Sequence, residues 1–188
     1  MQMAVSVAGA LLLGALIGLG VWWWRRRSRQ RRRLIQLIES IAAQFQRDVL
    51  IPDGADGWYH VDFLLRTASG IVILDVRDVR GALFGGEHLS EWTVMDGHQR
   101  RTFPNPLETL YDRMAAVRAI VGDEVPVEGH VVLLARARLG TAAPPRTWLL
   151  EQVPDLAPPA AEIGDAYAQA WLAISTRTTP TPAELRRA

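Results

Sequence analysis

Two stretches of sequence decide the fold of this chain: WYHVDFLLR at residues 58–66 and IVILDVR at residues 71–77. In the first stretch, apolar and polar side chains alternate with the two-residue period of a strand. The second stretch is rich in β-branched residues and nearly continuously apolar, which is typical of a central strand buried on both faces. Ser69-Gly70 separates them and indicates a turn. The sequence therefore predicts two consecutive strands, whose polar residues converge if the strands pair as neighbours.

Helices are predicted on both sides of these strands. Apolar residues recur at helical spacing from Leu34 onward and predict an amphipathic helix through about Gln46. Asn105-Pro106 predicts the start of a second helix, because asparagine caps a helix and proline fits its first turn. Gly122 predicts the end of that helix. A last helix is predicted before residue 176.

Further strands are predicted along the rest of the chain. Asp96-Gly97 is a strong two-residue hairpin signal, and it lies between strands predicted at 91–95 and 98–103. Strands are also predicted at 127–135 and 147–152. Together the elements predict an α/β (α+β) domain in which helices flank a sheet.

The N-terminal segment has the pattern of a membrane anchor. Residues 3–24 contain no charged residue, and about 20 helical residues cross the ~30 Å core of a bilayer. Trp22, Trp23 and Trp24 then stand where an aromatic belt meets the headgroups, and seven arginines follow between Arg25 and Arg33. Because positive charge is retained in the cytoplasm, the sequence predicts a single-pass protein of the bacterial inner (plasma) membrane. Its N-terminus is expected outside and its domain in the cytoplasm. The alternative, a cleaved signal peptide, requires basic residues before the apolar core.

The charge of the chain is unevenly distributed. All 21 basic residues are arginines, and removing the seven between Arg25 and Arg33 leaves 14 against 20 acidic residues, about −6 for residues 34–188. A free-standing nucleic-acid binder usually has a basic contact face. We expect the lipid bilayer to contact residues 3–24 and its anionic headgroups to contact the arginines between Arg25 and Arg33. The alternative is that these arginines tether nucleic acid.

The absence of cysteine excludes disulfides and cysteine-ligated metals.

Three residues on the two central strands could carry chemistry. Asp75 and Arg77 are two apart and point to one face, and Asp62 meets Asp75 if the two strands pair. Carboxylates are the ligands that Mg²⁺ prefers, and Glu39 could supply a third. The alternative is an ion-pair ladder of Asp75 and Arg77 with Arg66 nearby. His60 and His98 are interpreted as surface or strand residues rather than ligands.

The sequence around these residues resembles a known family. The resemblance spans roughly residues 35–135, and its most specific parts are the Asp62 strand, the Ser69-Gly70 turn and the Asp-x-Arg strand that leads to Gly81. Asn105-Pro106-Leu107 at the start of a helix adds to it. The chain resembles the NERD (nuclease-related) domain, a branch of the restriction-endonuclease-like superfamily. That resemblance implies a mixed sheet flanked by helices, and such domains often adjoin a transmembrane helix.

The resemblance also implies roles for individual residues. Families of this kind bind Mg²⁺ with an acid on one strand and (Asp/Glu)-x-Lys on the next, and they hydrolyse phosphodiester bonds. By position, Asp62 and Asp75 match the two metal acids, and Glu39 matches a helix glutamate. Arg77 falls where the family has lysine. Because arginine stays protonated, Arg77 could hold a phosphate but could not act as a base.

Two functional hypotheses follow from the sequence. The first is a membrane-anchored NERD-like protein with degenerate or lost catalysis and a binding or scaffolding role. The alternative is a Mg²⁺-dependent nuclease that uses Asp62 and Asp75, with Arg77 on the phosphate. Nucleic acid is a candidate ligand, and the sequence identifies no protein partner. The expected organisation is an anchor at 1–24, an arginine-rich segment at 25–33, the NERD-like domain at 34–153, a Pro-rich connection and helix at 154–176, and a flexible tail at 177–188.

Overall fold

A computed structural model of the protein describes residue 20 and residues 29–134, 136–140 and 143–182. The chain divides between Gln36 and Leu37 into two units. In the first, residues 29–36 are helical, and the second contains both sheets. The elements in chain order are α1 (29–41), β1 (Ala42–Pro52), β2 (Trp58–Thr67), β3 (Gly70–Arg77), β4 (Gly81–Phe84), β5 (Glu91–Asp96), β6 (Gln99–Pro104), α2 (Pro106–Val121), β7 (Val127–Leu133), β8 (Ala137–Leu139), β9 (Thr147–Leu149), two 3₁₀ helices (Leu150–Leu156 and Ala160–Glu162), α3 (Ala168–Ser175) and β10 (Thr179–Pro180).

The predicted membrane anchor at residues 3–24 lies outside the described residues except for Gly20. Among the helices of the described residues, none combines the length and the apolar character that a bilayer crossing requires.

The larger sheet has six strands in the order β10-β1-β2-β3-β7-β9. Strands β1, β2 and β3 are antiparallel neighbours, whereas β7 runs parallel to β3, and β9 runs parallel to β7. The two strands predicted from the sequence are therefore present, and they pair as neighbours, which was the condition for their polar residues to converge. At the turn between them Gly70 has a φ of +133°, and a Cβ atom there would collide with the carbonyl oxygen of Pro126. The backbone N–H of Ile71 donates a 2.9 Å hydrogen bond to that same oxygen, so the turn lies against the chain that leads into β7.

The prediction of a helix through Gln46 is wrong beyond residue 41. Strand β1 begins at Ala42 and pairs with β2 from Ala42 opposite Thr67 to Pro52 opposite Trp58. Cross-strand hydrogen bonds and side-chain packing against β2 decide the conformation here, and they override the local helical spacing. At the other end of the chain, where a flexible tail is predicted, β10 pairs with β1.

A second sheet of four strands has the order β6-β5-β4-β8. Its β5–β6 hairpin is present as predicted, but it turns at Gly97-His98, one residue later than the Asp96-Gly97 signal, with Asp96 opposite Gln99. Trp92 is fully buried on the inner face of this sheet, where its indole Nε1–H donates a 3.0 Å hydrogen bond to the carbonyl oxygen of Gly86.

Helix α2 begins and ends where the sequence predicts. The Asn105 side chain accepts a 3.0 Å hydrogen bond from the backbone N–H of Leu107 and donates to the carbonyl oxygens of Glu87 and Leu89. The apolar face of the helix joins the hydrophobic core of the sheets through Leu107, Leu110, Met114 and Val117. The result is a mixed α+β domain in which helices flank the sheets and α2 lies near strands β3 and β7.

Candidate functional site

Three carboxylates form a row across neighbouring strands of the larger sheet. Arg47 pairs with Phe63, and Phe63 pairs with Leu74. One step further along these ladders, Asp62 stands between Asp48 of β1 and Asp75 of β3. Because cross-strand neighbours point to the same face, all three side chains project from one face of the sheet. The predicted proximity of Asp62 and Asp75 therefore follows from the register.

Asp75 is buried and held by two arginines. Its side chain is 2% exposed, and its Oδ2 atom accepts hydrogen bonds from Arg77 Nη2 at 2.9 Å and Arg113 Nη1 at 2.5 Å. Its Oδ1 atom lies 2.6 Å from Arg77 Nε, although that contact is not aligned as a hydrogen bond. Arg77 reaches Asp75 from two residues along the same strand, and Arg113 reaches it from α2. A buried carboxylate needs such partners, because an unpaired charge is costly in the interior.

Asp62 is in a different environment. Its Oδ2 atom accepts a 2.8 Å hydrogen bond from the backbone N–H of Val76. Burial is the main reason that its pKa is raised, and the negative charge of Asp75 raises it further. The Val76 hydrogen bond, His60 and Arg113 oppose these effects but do not cancel them. Within the described part of the chain, no arginine forms an ion pair with Asp62.

The structure does not group Glu39 with these carboxylates. Glu39 is exposed on α1. Among the described residues, one set of three potential metal ligands has its donor atoms within 4.8 Å of one another, and it consists of Asp48, His60 and Asp62. His60 Nε2 lies 3.9 Å from Asp48 Oδ1. No sequence pattern pointed to Asp48, which follows the end of the predicted helix. His60 was interpreted as a surface or strand histidine, although its two-residue spacing from Asp62 places both on one face of β2.

The residues as arranged do not fit a Mg²⁺ ion between Asp62 and Asp75. Magnesium needs carboxylate oxygens at about 2.0–2.1 Å in near-octahedral geometry. Both oxygens of Asp75 lie against guanidinium groups, and one oxygen of Asp62 is occupied by the Val76 amide. The arrangement supports ion pairing at Asp75 rather than metal binding there.

The ion pairs in the structure involve different residues from those of the ladder that the sequence suggested. Arg66 does not join it: its guanidinium donates hydrogen bonds to the carbonyl oxygens of Gly164 and Ala166 and to the Gln44 side chain. Instead, Arg113 of α2 forms the second ion pair with Asp75, beside that of Arg77.

Comparison with known proteins agrees with the resemblance seen in the sequence. The family model described as NERD, nuclease-related domain, matches residues 26–134, which is more than half of the chain. The matched residues include the whole row from Asp48 to Asp75 and both of its arginines. No match was found among curated proteins or solved structures.

The two arginines around Asp75 should contribute unequally to stability. We expect Arg113→Met to lower the free energy of unfolding by about 3 kcal/mol, because breaking a buried ion pair costs roughly 3–5 kcal/mol. Arg77→Met should cost less, because the Arg77 side chain is 39% exposed against 16% for Arg113, and solvent weakens the interaction. Urea unfolding of the full chain measures both values. The exposed Arg138→Met serves as control, and equal losses for all three variants would contradict the expectation.

Because the pKa of Asp62 is raised, we expect its charged form to lower the stability of the fold, to an extent that depends on pH. A carboxyl group whose folded-state pKa lies above its ordinary 3.8 stabilises the fold when protonated, and that contribution is lost as pH rises through the folded-state pKa. Asp62→Asn keeps an acceptor for Val76 and removes the charge. In the presence of EDTA the variant should therefore be more stable than the parent chain at pH 7, and the difference should vanish below about pH 3.8.

Thermal unfolding across this pH range is the measurement. Asp56→Asn is the matched control, because Asp56 is exposed and its removal should leave the pH profile unchanged. A variant of Asp62 that is less stable than the parent chain at pH 7 would contradict the argument.

Proposed function

We propose that this chain, which belongs to the nuclease-related domain (NERD) family, is a non-hydrolytic member of it with a binding or scaffolding role. We also propose that the fold is of the restriction-endonuclease-like type. The observation that supports the functional proposal is the pairing of buried Asp75 with two arginines.

Two chemical arguments support the proposal that the chain does not hydrolyse phosphodiesters. Hydrolysis of a phosphodiester needs a group that activates water, and a protonated guanidinium such as that of Arg77 cannot accept the proton. It also needs positive charge at the phosphate. Without a bound cation, the row contains three carboxylates against the two guanidinium groups of Arg77 and Arg113, so its own charge opposes the approach of a phosphate anion.

The alternative is a Mg²⁺-dependent nuclease that uses Asp62 and Asp75. One observation favours it, namely that Asp62 and Asp75 are the residues next after the Phe63–Leu74 pair at the end of the β2–β3 ladder. It requires that Arg77 and Arg113 leave Asp75, which would expose a buried carboxylate without partners.

A cleavage assay separates the two functions. The purified full chain in detergent is incubated with labelled DNA and RNA and with Mg²⁺ or Mn²⁺, beside an Asp62→Ala/Asp75→Ala variant. We expect no cleavage above that of the variant, and the fluorescence anisotropy of the same strands reports binding without cleavage. Cleavage that the double variant loses would reject the proposal in favour of the nuclease.

We further propose that the chain is anchored in the bacterial inner membrane by residues 3–24, with the domain in the cytoplasm. This is supported by the uncharged segment, by Trp22–Trp24 at its end and by the arginines between Arg25 and Arg33.

Fractionation tests the anchor. The full chain should stay in the membrane pellet after washing at alkaline pH, and deletion of residues 3–24 should release it. In intact spheroplasts, added protease should leave the domain uncut, and lysis should make it accessible. Release of the full chain by the alkaline wash, or cleavage of the domain from outside, would contradict this proposal.

A further inference from the structure

We propose that Asp48, His60 and Asp62 form a binding site for a divalent transition-metal ion of the zinc class. This site shares Asp62 with the Asp62–Asp75 pair that the family resemblance implies, but it lies on β1 and β2 and does not use Asp75. It does not depend on the proposed binding role, because it would hold a metal whether or not the domain cleaves a phosphodiester.

The geometry brings three donor groups to one point on the sheet. His60 and Asp62 are two residues apart on β2, so both project from the same face. Asp48 lies on β1 between the Arg47–Phe63 and Val49–Val61 pairs of the β1–β2 ladder, and the donor atoms of the three side chains lie within 4.8 Å of one another. In a tetrahedral zinc site with bonds near 2.0–2.2 Å, ligand atoms are about 3.4 Å apart. Small rotations of the three side chains would close the difference.

A second, electrostatic observation points to a cation. Like charges directly opposite each other on neighbouring strands destabilise a sheet. Asp48 and Asp62 are such a pair, and among the described residues no arginine forms an ion pair with either. The nearby Arg77 and Arg113 are engaged by Asp75. Asp48 has only a 3.9 Å contact with His60, which carries charge only when protonated. A divalent ion would neutralise both carboxylates.

The donor set indicates the chemical class of the ion. An imidazole nitrogen with two carboxylate oxygens suits Zn²⁺, Co²⁺ or Mn²⁺, whereas Mg²⁺ and Ca²⁺ prefer oxygen ligands alone. Three protein ligands leave one position of a zinc ion open to water or a ligand. The side chains of His60 and Asp48 are 39% and 27% exposed, so an ion can reach them from solvent.

The test uses the full chain without a histidine tag, first stripped with EDTA and then dialysed. At a Zn²⁺ concentration 100-fold above its Kd, the melting temperature should rise by roughly 5–10 °C, and the same concentration of Mg²⁺ should have little effect. Co²⁺ should give the visible absorption of a low-symmetry site. Asp48→Asn and His60→Ala should each weaken Zn²⁺ binding by more than about 100-fold, since even the loss of an outer-shell partner costs 10–100-fold.

The variants are chosen so that misfolding cannot imitate the expected result. Asp48 has a φ of +50°, a conformation that asparagine adopts readily, so Asp48→Asn keeps the backbone and removes the charge. Asp62→Asn should abolish the response to Zn²⁺ while the metal-free variant still unfolds cooperatively, a combination that misfolding cannot produce. His98→Ala is the matched control, because His98 is exposed in the hairpin turn.

Three results would overturn the proposal. They are the absence of a Zn²⁺ response in the parent chain, a response that persists in Asp48→Asn and His60→Ala, and a response that is lost in His98→Ala instead. These three results do not report on whether the chain cleaves nucleic acid. The failure of this proposal can therefore be distinguished from the failure of the proposed function.

Discussion

The ion pairs around buried Asp75 constrain both the architecture and the chemistry of this domain. A carboxylate with 2% exposure must be compensated within the protein, and Arg113 provides this from the middle of α2. The pairing fixes which turn of α2 lies beside β3, in addition to the non-directional packing of its apolar face. The same pairing removes from Asp75 the free oxygens that a metal ligand needs. A single buried charge therefore sets the position of the helix and limits what the site can do.

The sequence predicted those elements whose signals are local. Strands β2 and β3, the Asp96-Gly97 hairpin and the ends of α2 follow from alternation, turn residues and capping, which act within a few residues. The first five residues of β1 were predicted as helix, because they continue a helical spacing, whereas their true partner, β2, lies across a turn. The second sheet was not anticipated as a separate layer, since its short strands carry no sign of which strand they join.

The same distinction explains how much of the candidate site could be predicted. Asp62 and Asp75 are placed symmetrically about the turn at Ala68-Ser69, so a local hairpin is enough to bring them together. Arg113 reaches the site from a helix 38 residues beyond Asp75, and no spacing rule links them. The partnership of Asp48 with Asp62 depends on the β1–β2 register, which the helical assignment concealed. Contacts between residues that are distant in the sequence therefore decide which arginines and carboxylates lie together. No local sequence pattern indicates those contacts.

The outer strands of the larger sheet have a consequence for solubility. Both edges end in very short strands, β10 with two residues and β9 with three. One of the two residues of β10 is Pro180, which has no backbone N–H to offer to a further strand. Long exposed edges recruit strands from other molecules, and short or proline-containing edges do so poorly. Strands β2, β3 and β7 of this sheet, which include its most apolar segments, have a neighbouring strand on each side and offer no edge to another molecule.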